Sequence, residues 1–141
     1  MASKNWIVPG TFFFNWTSSS NSEYTGIENS VSRTTPAITD DSIIIGDQNG
    51  GHLIAVDKHT GARKWVTQLD PHVAAIITQS PVVYGDWVFV GVSSSEEGLA
   101  VNPNYPCCSF RGSMLVLDKD YGKILWKTFT VPEGYSDGAV W

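Results

Sequence analysis

The sequence contains few charged side chains and no basic cluster. Only 16% of its 141 residues are Asp, Glu, Lys or Arg, the net charge is −5, and no run of Lys or Arg occurs. A surface that neutralises nucleic-acid phosphates needs such a run or patch. Nucleic acid is therefore not an expected partner.

Long apolar segments are also missing. No apolar run approaches the roughly 20 residues that a membrane-spanning helix requires. The first residues, Met-Ala-Ser-Lys, lead into no apolar signal-peptide core. We therefore expect no membrane span, and either a cytoplasmic protein or one from which a leader has been removed.

The most common catalytic signatures are absent too. The sequence contains no G-x-S-x-G, H-E-x-x-H, Walker loop or Rossmann glycine fingerprint. This removes the usual hydrolase, zinc-protease and nucleotide-binding functions. The three histidines, His52, His59 and His72, share no spacing typical of metal ligands.

Glycine and tryptophan, in contrast, are plentiful. The 13 Gly and 6 Trp suit short strands and tight turns better than helices. A chain of 141 residues has the length of one domain. The composition predicts a single all-β domain.

One stretch of sequence occurs twice. Residues 55–65 return in weakened form at residues 116–126, and three positions match at a constant shift of 61 residues: Asp57 with Asp118, Gly61 with Gly122, and Trp65 with Trp126. Each copy joins two apolar runs through a polar turn that ends in Gly, the pattern of a β-hairpin. The Asp is expected to accept backbone hydrogen bonds in the turn, and the Trp is expected to pack between repeats.

The repeat organises most of the chain into two four-stranded antiparallel blades of a β-propeller. The strands of blade one are predicted at residues 34–39, 42–46, 52–57 and 62–69, and those of blade two at 78–83, 86–92, 112–118 and 123–131. The domain divides into an N-terminal strand and loop (1–30), blade one (31–70), blade two (71–131) and the start of a next blade (132–141). Residues 93–111 form a long polar insertion in blade two, and such loops are often functional.

Two blades cannot close a propeller. Propellers use roughly 4 to 8 blades, and an open set leaves strand edges and apolar blade faces exposed. The expected partners are therefore the remaining blades, supplied by a longer chain or by other copies of this one.

The repeat also carries a family resemblance. The pattern Ala55-x-Asp57-x-x-Thr60-Gly61-x-x-x-Trp65 resembles the tryptophan-docking repeat of the pyrroloquinoline quinone (PQQ) dehydrogenases. Three further segments resemble the polyvinyl-alcohol-dehydrogenase-like branch: Thr-Gln-Ser-Pro at 78–81, Ser-Ser-Ser-Glu-Glu-Gly at 93–98, and Cys-Cys-Ser-Phe-Arg-Gly-Ser at 107–113. The resemblance implies an eight-bladed quinoprotein propeller that binds PQQ and Ca²⁺ near its axis and oxidises a small or polymeric alcohol.

The resemblance also implies site residues. Arg33 matches an arginine bonded to the quinone, and Thr78 matches a hydroxyl that bonds the cofactor. Glu96 matches a glutamate that ligates Ca²⁺ through hard oxygens, with Glu97 as the alternative if the alignment slips by one residue. The remaining matches concern the cofactor: Ser93, Ser94 and Ser95 match the segment that holds a PQQ carboxylate, and Trp141 matches the tryptophan beneath the PQQ ring.

Cys107 and Cys108 can close a disulfide between adjacent residues. In the PQQ methanol dehydrogenases such a ring covers the cofactor, although there it precedes the arginine segment, whereas here it follows Glu96. A disulfide would imply an oxidising, extracytoplasmic compartment. The alternative is two reduced cysteines in a loop.

Two functions remain open. The family's catalytic Asp and the Asn that helps to hold Ca²⁺ come from later blades and have no counterpart before Trp141. The chain would thus supply half of the cofactor site of an alcohol dehydrogenase without its base. The alternative is a non-catalytic propeller scaffold or interaction module derived from the same repeat.

Overall fold

The computed structural model describes residues 32–48 and 50–133 of the chain. The strand predicted within residues 1–30 lies outside the described residues, as does Trp141. Within the described ranges, no helix is long and apolar enough to cross a membrane.

The structure confirms the all-β prediction, and its described residues form two antiparallel sheets. The first has the order β1-β2-β3-β4, and its strands are β1 (Ala37–Ile38), β2 (Ser42–Gly46), β3 (His52–Asp57) and β4 (Arg63–Gln68). The second has the order β5-β7-β8-β9, with β6 also pairing with β7, and its strands are β5 (Ala75–Ile76), β6 (Val82–Tyr84), β7 (Trp87–Ser94), β8 (Ser113–Asp118) and β9 (Ile124–Phe129). A short helix, α1 (Glu96–Leu99), follows β7.

The first strand predicted for blade two is interrupted. The sequence predicts one strand at residues 78–83, whereas the structure has β5 and β6 on either side of residues 77–81. In this gap the chain bonds to residues that flank the strands of the first sheet. The Ile77 amide donates to the Asp47 carbonyl at 3.1 Å, and Ser80 Oγ accepts from the Thr35 amide at 2.8 Å. These two contacts tie the sheets together.

The two repeated hairpins have the predicted turn. Asp57 Oδ1 accepts the amides of His59 and Thr60 at 2.9 and 2.7 Å, and Asp118 Oδ1 accepts those of residues 120 and 121, each at 2.9 Å. The glycine that ends each turn has a positive φ, 75° at Gly61 and 67° at Gly122. Both Asp residues are therefore turn residues, because their carboxylates satisfy amides that the turn leaves unpaired.

Trp65 joins the sheets at the second hairpin. Its indole Nε1 donates to the Lys119 carbonyl at 3.0 Å, and Thr67 Oγ1 donates to the Gly122 carbonyl at 2.7 Å. Trp65 is 8% exposed and belongs to the core cluster shared by both sheets. The indole of one blade thus packs against the Gly turn of the next.

The strand registers show that the sheets are two copies of one unit. Ile43 and Ile45 of β2 correspond to Val88 and Val90 of β7, a shift of 45 residues, whereas β3 and β8 correspond with a shift of 61. An irregularity follows Ala55 in the first copy and its equivalent, Val116, in the second. The difference between the two shifts, 16 residues, is the extra length between β7 and β8.

Each blade has one face that packs against no other described sheet. In blade one this face carries a small separate apolar cluster made of Ile43, Ile45, Ile54, Val56 and Val66. In blade two it carries Trp126, which is 47% exposed although its equivalent, Trp65, is buried. A third blade packed like the second would cover Trp126.

Candidate functional site

The site starts where β7 ends. β5 pairs with the last two residues of β7, Ser93 and Ser94, and the chain leaves β5 toward Thr78. This register brings Thr78 Oγ1 within 3.3 Å of Ser93 Oγ. Both side chains are exposed. Two hydroxyls from different segments of the sequence are therefore adjacent and accessible to solvent.

Arg33 lies on the chain just before β1, beside the same segment of blade two. Its neighbour Thr34 is buried and accepts the Gly46 amide through Oγ1 at 3.0 Å, while the Thr35 amide donates to Ser80 Oγ. Arg33 itself is exposed, and its guanidinium makes no hydrogen bond or ion pair with the described residues. The structure therefore brings the Arg33 segment next to the Thr78 segment and leaves the cation available to a ligand.

Glu96, at the start of α1, is in a different environment. Its side chain is fully buried, with 0% exposure. Oε1 accepts Tyr105 Oη at 2.9 Å, the Ser109 amide at 2.9 Å and Ser109 Oγ at 3.3 Å, and Oε2 accepts the Phe110 amide at 2.9 Å. All four donors belong to residues 105–110, which we call the cysteine segment.

The pKa of the Glu96 carboxyl lies below its ordinary value. Burial is the largest single influence and raises this pKa, but the hydrogen bonds from the amides of Ser109 and Phe110 and from the Tyr105 hydroxyl outweigh it. The same contact raises the pKa of Tyr105, first through burial and then through the bond to the carboxylate. Glu96 is therefore held in its ionised form.

His72 forms the other wall of this cluster. Its Nδ1 accepts the Ala74 amide at 3.1 Å, so in the neutral ring Nε2 carries the proton and faces Ser109 Oγ at 3.0 Å. The ring also meets Phe110 edge to face, with centroids 5.4 Å apart. Because Nε2 is the donor here, His72 does not serve as a base toward Ser109, and the cluster is not a nucleophilic triad.

Cys107 and Cys108 lie on the exposed part of the cysteine segment. The structure joins them in a disulfide, and the peptide bond between them is cis. The Cys107 amide donates to the Tyr105 carbonyl at 2.8 Å. Tyr105 and Ser109, which flank the pair, are both bound to Glu96.

The described residues do not fit Ca²⁺. Calcium takes six to eight oxygen ligands, and the described residues contain no group of three or more His, Cys, Asp or Glu side chains able to hold a metal. The Glu96 oxygens already face hydrogen-bond donors, and Glu97 is exposed on α1. An anionic ligand such as PQQ fits better, because Arg33 supplies a cation and Thr78 and Ser93 supply donors.

Sequence reasoning missed the partners of Glu96. Tyr105, Ser109, Phe110 and His72 follow no spacing motif, and Ser109 and Phe110 contribute mainly backbone amides. The predicted insertion also begins too early, since Ser93 and Ser94 belong to β7. The only feature of the sequence that pointed to this segment was the length of the insertion, and the length does not predict which residues contact Glu96.

We expect the stability of the protein to depend on Glu96 as pH changes. Since the folded pKa is lowered from the ordinary 4.5, the stabilisation is fully present above about pH 4.5 and is lost as pH falls through the folded value. The melting temperature of Glu96→Gln, which cannot titrate, should therefore approach that of the wild type as pH decreases. Glu97→Gln is the control and should follow the wild type throughout; a gap between Glu96→Gln and wild type that stays constant from about pH 6 to 3 would contradict the assignment.

Comparison with known proteins supports the fold. A family model described as "Outer membrane protein assembly factor BamB" matches residues 15–136. A polyvinylalcohol dehydrogenase from a Pseudomonas species is 40% identical over 77 residues, covering 55% of this chain and 12% of the relative. Another from Sphingopyxis sp. (strain 113P3) is 34% identical over 103 residues, covering 62% of this chain and 16% of the relative.

A solved structure of an alcohol dehydrogenase has a similar fold. The quinohemoprotein alcohol dehydrogenase ADHIIG from Pseudomonas putida HK5 superimposes with a TM-score of 0.56 and 26% identity, over 69% of this chain and 13% of that one. The chain thus spans less than a fifth of the length of these three proteins. Because the family model covers most of the sequence, the chain belongs to this PQQ-type repeat family, and it is similar to quinoprotein alcohol dehydrogenases, among them the polyvinylalcohol dehydrogenases.

Proposed function

We propose that the chain forms part of the cofactor site of a PQQ-dependent alcohol dehydrogenase and works within a larger propeller. Two hydrogen bonds support this most. The Thr35 amide, two residues after Arg33, donates to Ser80 Oγ, and Thr78 Oγ1 bonds Ser93 Oγ, so the segments that carry the three residues lie side by side. The three residues come from the stretch before β1, the gap after β5 and the end of β7. A ligand that touched all three would bridge both blades.

The chemistry of these groups suits a planar polyanion. The guanidinium of Arg33 is a fixed cation that can bind a carboxylate or quinone oxygen through two parallel hydrogen bonds. The Thr78 and Ser93 hydroxyls bond each other, which leaves one of their two protons for a ligand. Ser94 Oγ accepts the Glu96 amide, and Ser95 Oγ donates to the Ala74 carbonyl. When bound, PQQ would supply the hydride acceptor for the alcohol carbon.

The chain alone is proposed to bind and orient the cofactor, not to complete the reaction. The base and the remaining blades would come from a longer chain or from other copies. The substrate proposed is an alcohol of the secondary or polymeric kind, by likeness to the polyvinylalcohol dehydrogenases. The Cys107–Cys108 disulfide favours an oxidising compartment. The proposal includes no Ca²⁺ site among the described residues, because the hydrogen-bond donors around Glu96 do not suit a cation.

Titration of the purified chain with PQQ, followed by tryptophan fluorescence, tests the proposal. We expect saturable quenching that weakens about 10- to 100-fold in Arg33→Ala, since a charge-assisted hydrogen bond contributes about 1.5 to 3 kcal/mol. Thr78→Ala should weaken it less, by roughly 5- to 10-fold, because its hydroxyl is neutral.

Arg63→Ala is the matched control, because Arg63 is an exposed arginine on the outer strand β4. It should bind PQQ as the wild type does. Absence of quenching in the wild type, or equal loss in Arg33→Ala and Arg63→Ala, would refute the proposed site.

A non-catalytic scaffold is the second candidate. It is favoured by the description of the matching family model, an assembly factor, and by the exposed apolar side chains of β9, Ile124, Leu125, Trp126 and Phe129. This alternative predicts that Arg33→Ala leaves function unchanged while substitutions on β9 abolish it.

A further inference from the structure

Glu96 closes the base of the turn that carries the disulfide. Tyr105 lies two residues before Cys107 and Ser109 one residue after Cys108, and both donate to the same oxygen, Glu96 Oε1. The Phe110 amide binds the second oxygen, Oε2. The two ends of the cysteine segment are thus held together by one side chain from outside the segment.

The cluster also fixes the cysteine segment to the body of blade two. Ser109 Oγ contacts His72 Nε2, and Phe110 packs against the apolar core shared by both sheets. Residue 95, beside Glu96, donates its amide to the Ala74 carbonyl at 3.0 Å. Glu96 and the cysteine segment therefore meet the same turn, formed by residues 72–74 ahead of β5.

This geometry disagrees with the calcium role that the family pattern gives Glu96. A metal ligand must direct oxygen lone pairs at a cation, whereas here both oxygens are directed at N–H and O–H donors. Moving a buried carboxylate away from such donors would leave several polar groups without partners, which is unfavourable. The observed contacts account for the burial of the charge without any metal.

We propose that Glu96 is a positioning residue that holds the Cys107–Cys108 segment against the turn at residues 72–74, in place of binding calcium. The role is independent of whether PQQ binds. Holding both ends of the segment in one conformation keeps the two Sγ atoms together. Glu96 should therefore shift the thiol–disulfide equilibrium of the pair toward the oxidised form.

Equilibration with dithiothreitol, with the free thiols counted by alkylation and mass spectrometry, tests this role. In the reaction the two thiols of the reagent become a disulfide while the Cys107–Cys108 disulfide becomes two thiols. In Glu96→Ala we expect the equilibrium constant to shift at least about tenfold toward the dithiol form, as loss of several charge-assisted hydrogen bonds implies.

Glu97→Ala is the matched control, since Glu97 is the exposed neighbour of Glu96 on the same helix. It should keep the wild-type equilibrium. If Glu96→Ala fails to fold, the double variant Tyr105→Phe, Ser109→Ala retains the carboxylate and removes two donors, and it should shift the equilibrium in the same direction. An unchanged equilibrium in the variant that folds would overturn the proposal.

Calcium supplies the second measurement. Under the proposal, added Ca²⁺ leaves the equilibrium constant of the wild type unchanged, and calorimetry detects no calcium site that depends on Glu96. Binding of Ca²⁺ that is abolished by Glu96→Gln but retained in Glu97→Gln would contradict the proposal and restore the metal role.

Discussion

Trp65→Ala is expected to lower the free energy of unfolding by about 3 to 5 kcal/mol, the usual range for deleting a buried Trp side chain. The indole is 8% exposed, packs in the core shared by both blades and donates to the Lys119 carbonyl. Removing it creates a cavity and leaves that carbonyl without its donor. Chemical denaturation at a concentration where the chain is monomeric measures the effect.

The chain supplies its own control for this substitution. Trp126 is the equivalent residue in the second copy but is 47% exposed, so Trp126→Ala should cost no more than about 1 kcal/mol. The two substitutions delete the same atoms at equivalent positions of β4 and β9. Equal losses at the two sites would show that Trp65 does not join the blades as described.

Gly122→Ala is expected to destabilise the protein by about 3 kcal/mol. Gly122 has a φ of 67°, which disfavours any other residue by about 1 kcal/mol. A Cβ there would also lie 2.5 Å from Trp65 Cδ2 and Cε3, and relieving such overpacking costs roughly 1 to 3 kcal/mol more. Thermal or chemical unfolding gives the loss directly.

Gly85→Ala separates the two contributions. Gly85 has a similar φ of 60°, but a Cβ added there meets no heavy atom within 4 Å. This variant should therefore lose only the conformational part, about 1 kcal/mol. If Gly85→Ala lowered the free energy of unfolding as much as Gly122→Ala, the close contact between residue 122 and Trp65 would not contribute to the loss.

The repeat made the inter-blade contact partly predictable. A constant shift of 61 residues identified both hairpins, and the Asp and Gly chemistry of each turn is local, so neighbouring residues determine it. The sequence also predicted that Trp65 packs between blades. It could not show that Trp126 lacks such cover among the described residues, because that depends on which blade follows.

The interrupted strand before β7 illustrates what local patterns miss. Val82 and Val83 are β-prone, but Pro81 cannot donate to a strand ladder. The chain also leaves the sheet at Ile77, whose amide bonds to the Asp47 carbonyl in the other blade. A contact between residues 30 positions apart carries no periodicity. The same interruption brings Thr78 out to meet Ser93, so the prediction was wrong in the part of the chain that forms the candidate site.

The partners of the charged Glu96 side chain could not be predicted from local sequence either. The family pattern gives it a metal, and its buried hydrogen bonds come from residues 9 to 14 positions later in the insertion. Backbone amides leave no mark in a sequence, so no motif could have revealed them. The resemblance located the residue, and only the structure showed what it binds.

We propose that PQQ binds between the blades at Arg33, Thr78 and Ser93. The most direct test is a titration of the ¹⁵N-labelled chain with PQQ, followed by amide chemical shifts residue by residue. The account predicts saturable shifts concentrated at residues 33–35, 78–80 and 93–95, with the hairpin at 57–61 unaffected. Shifts confined to that hairpin or to β9, or none at all, would contradict it.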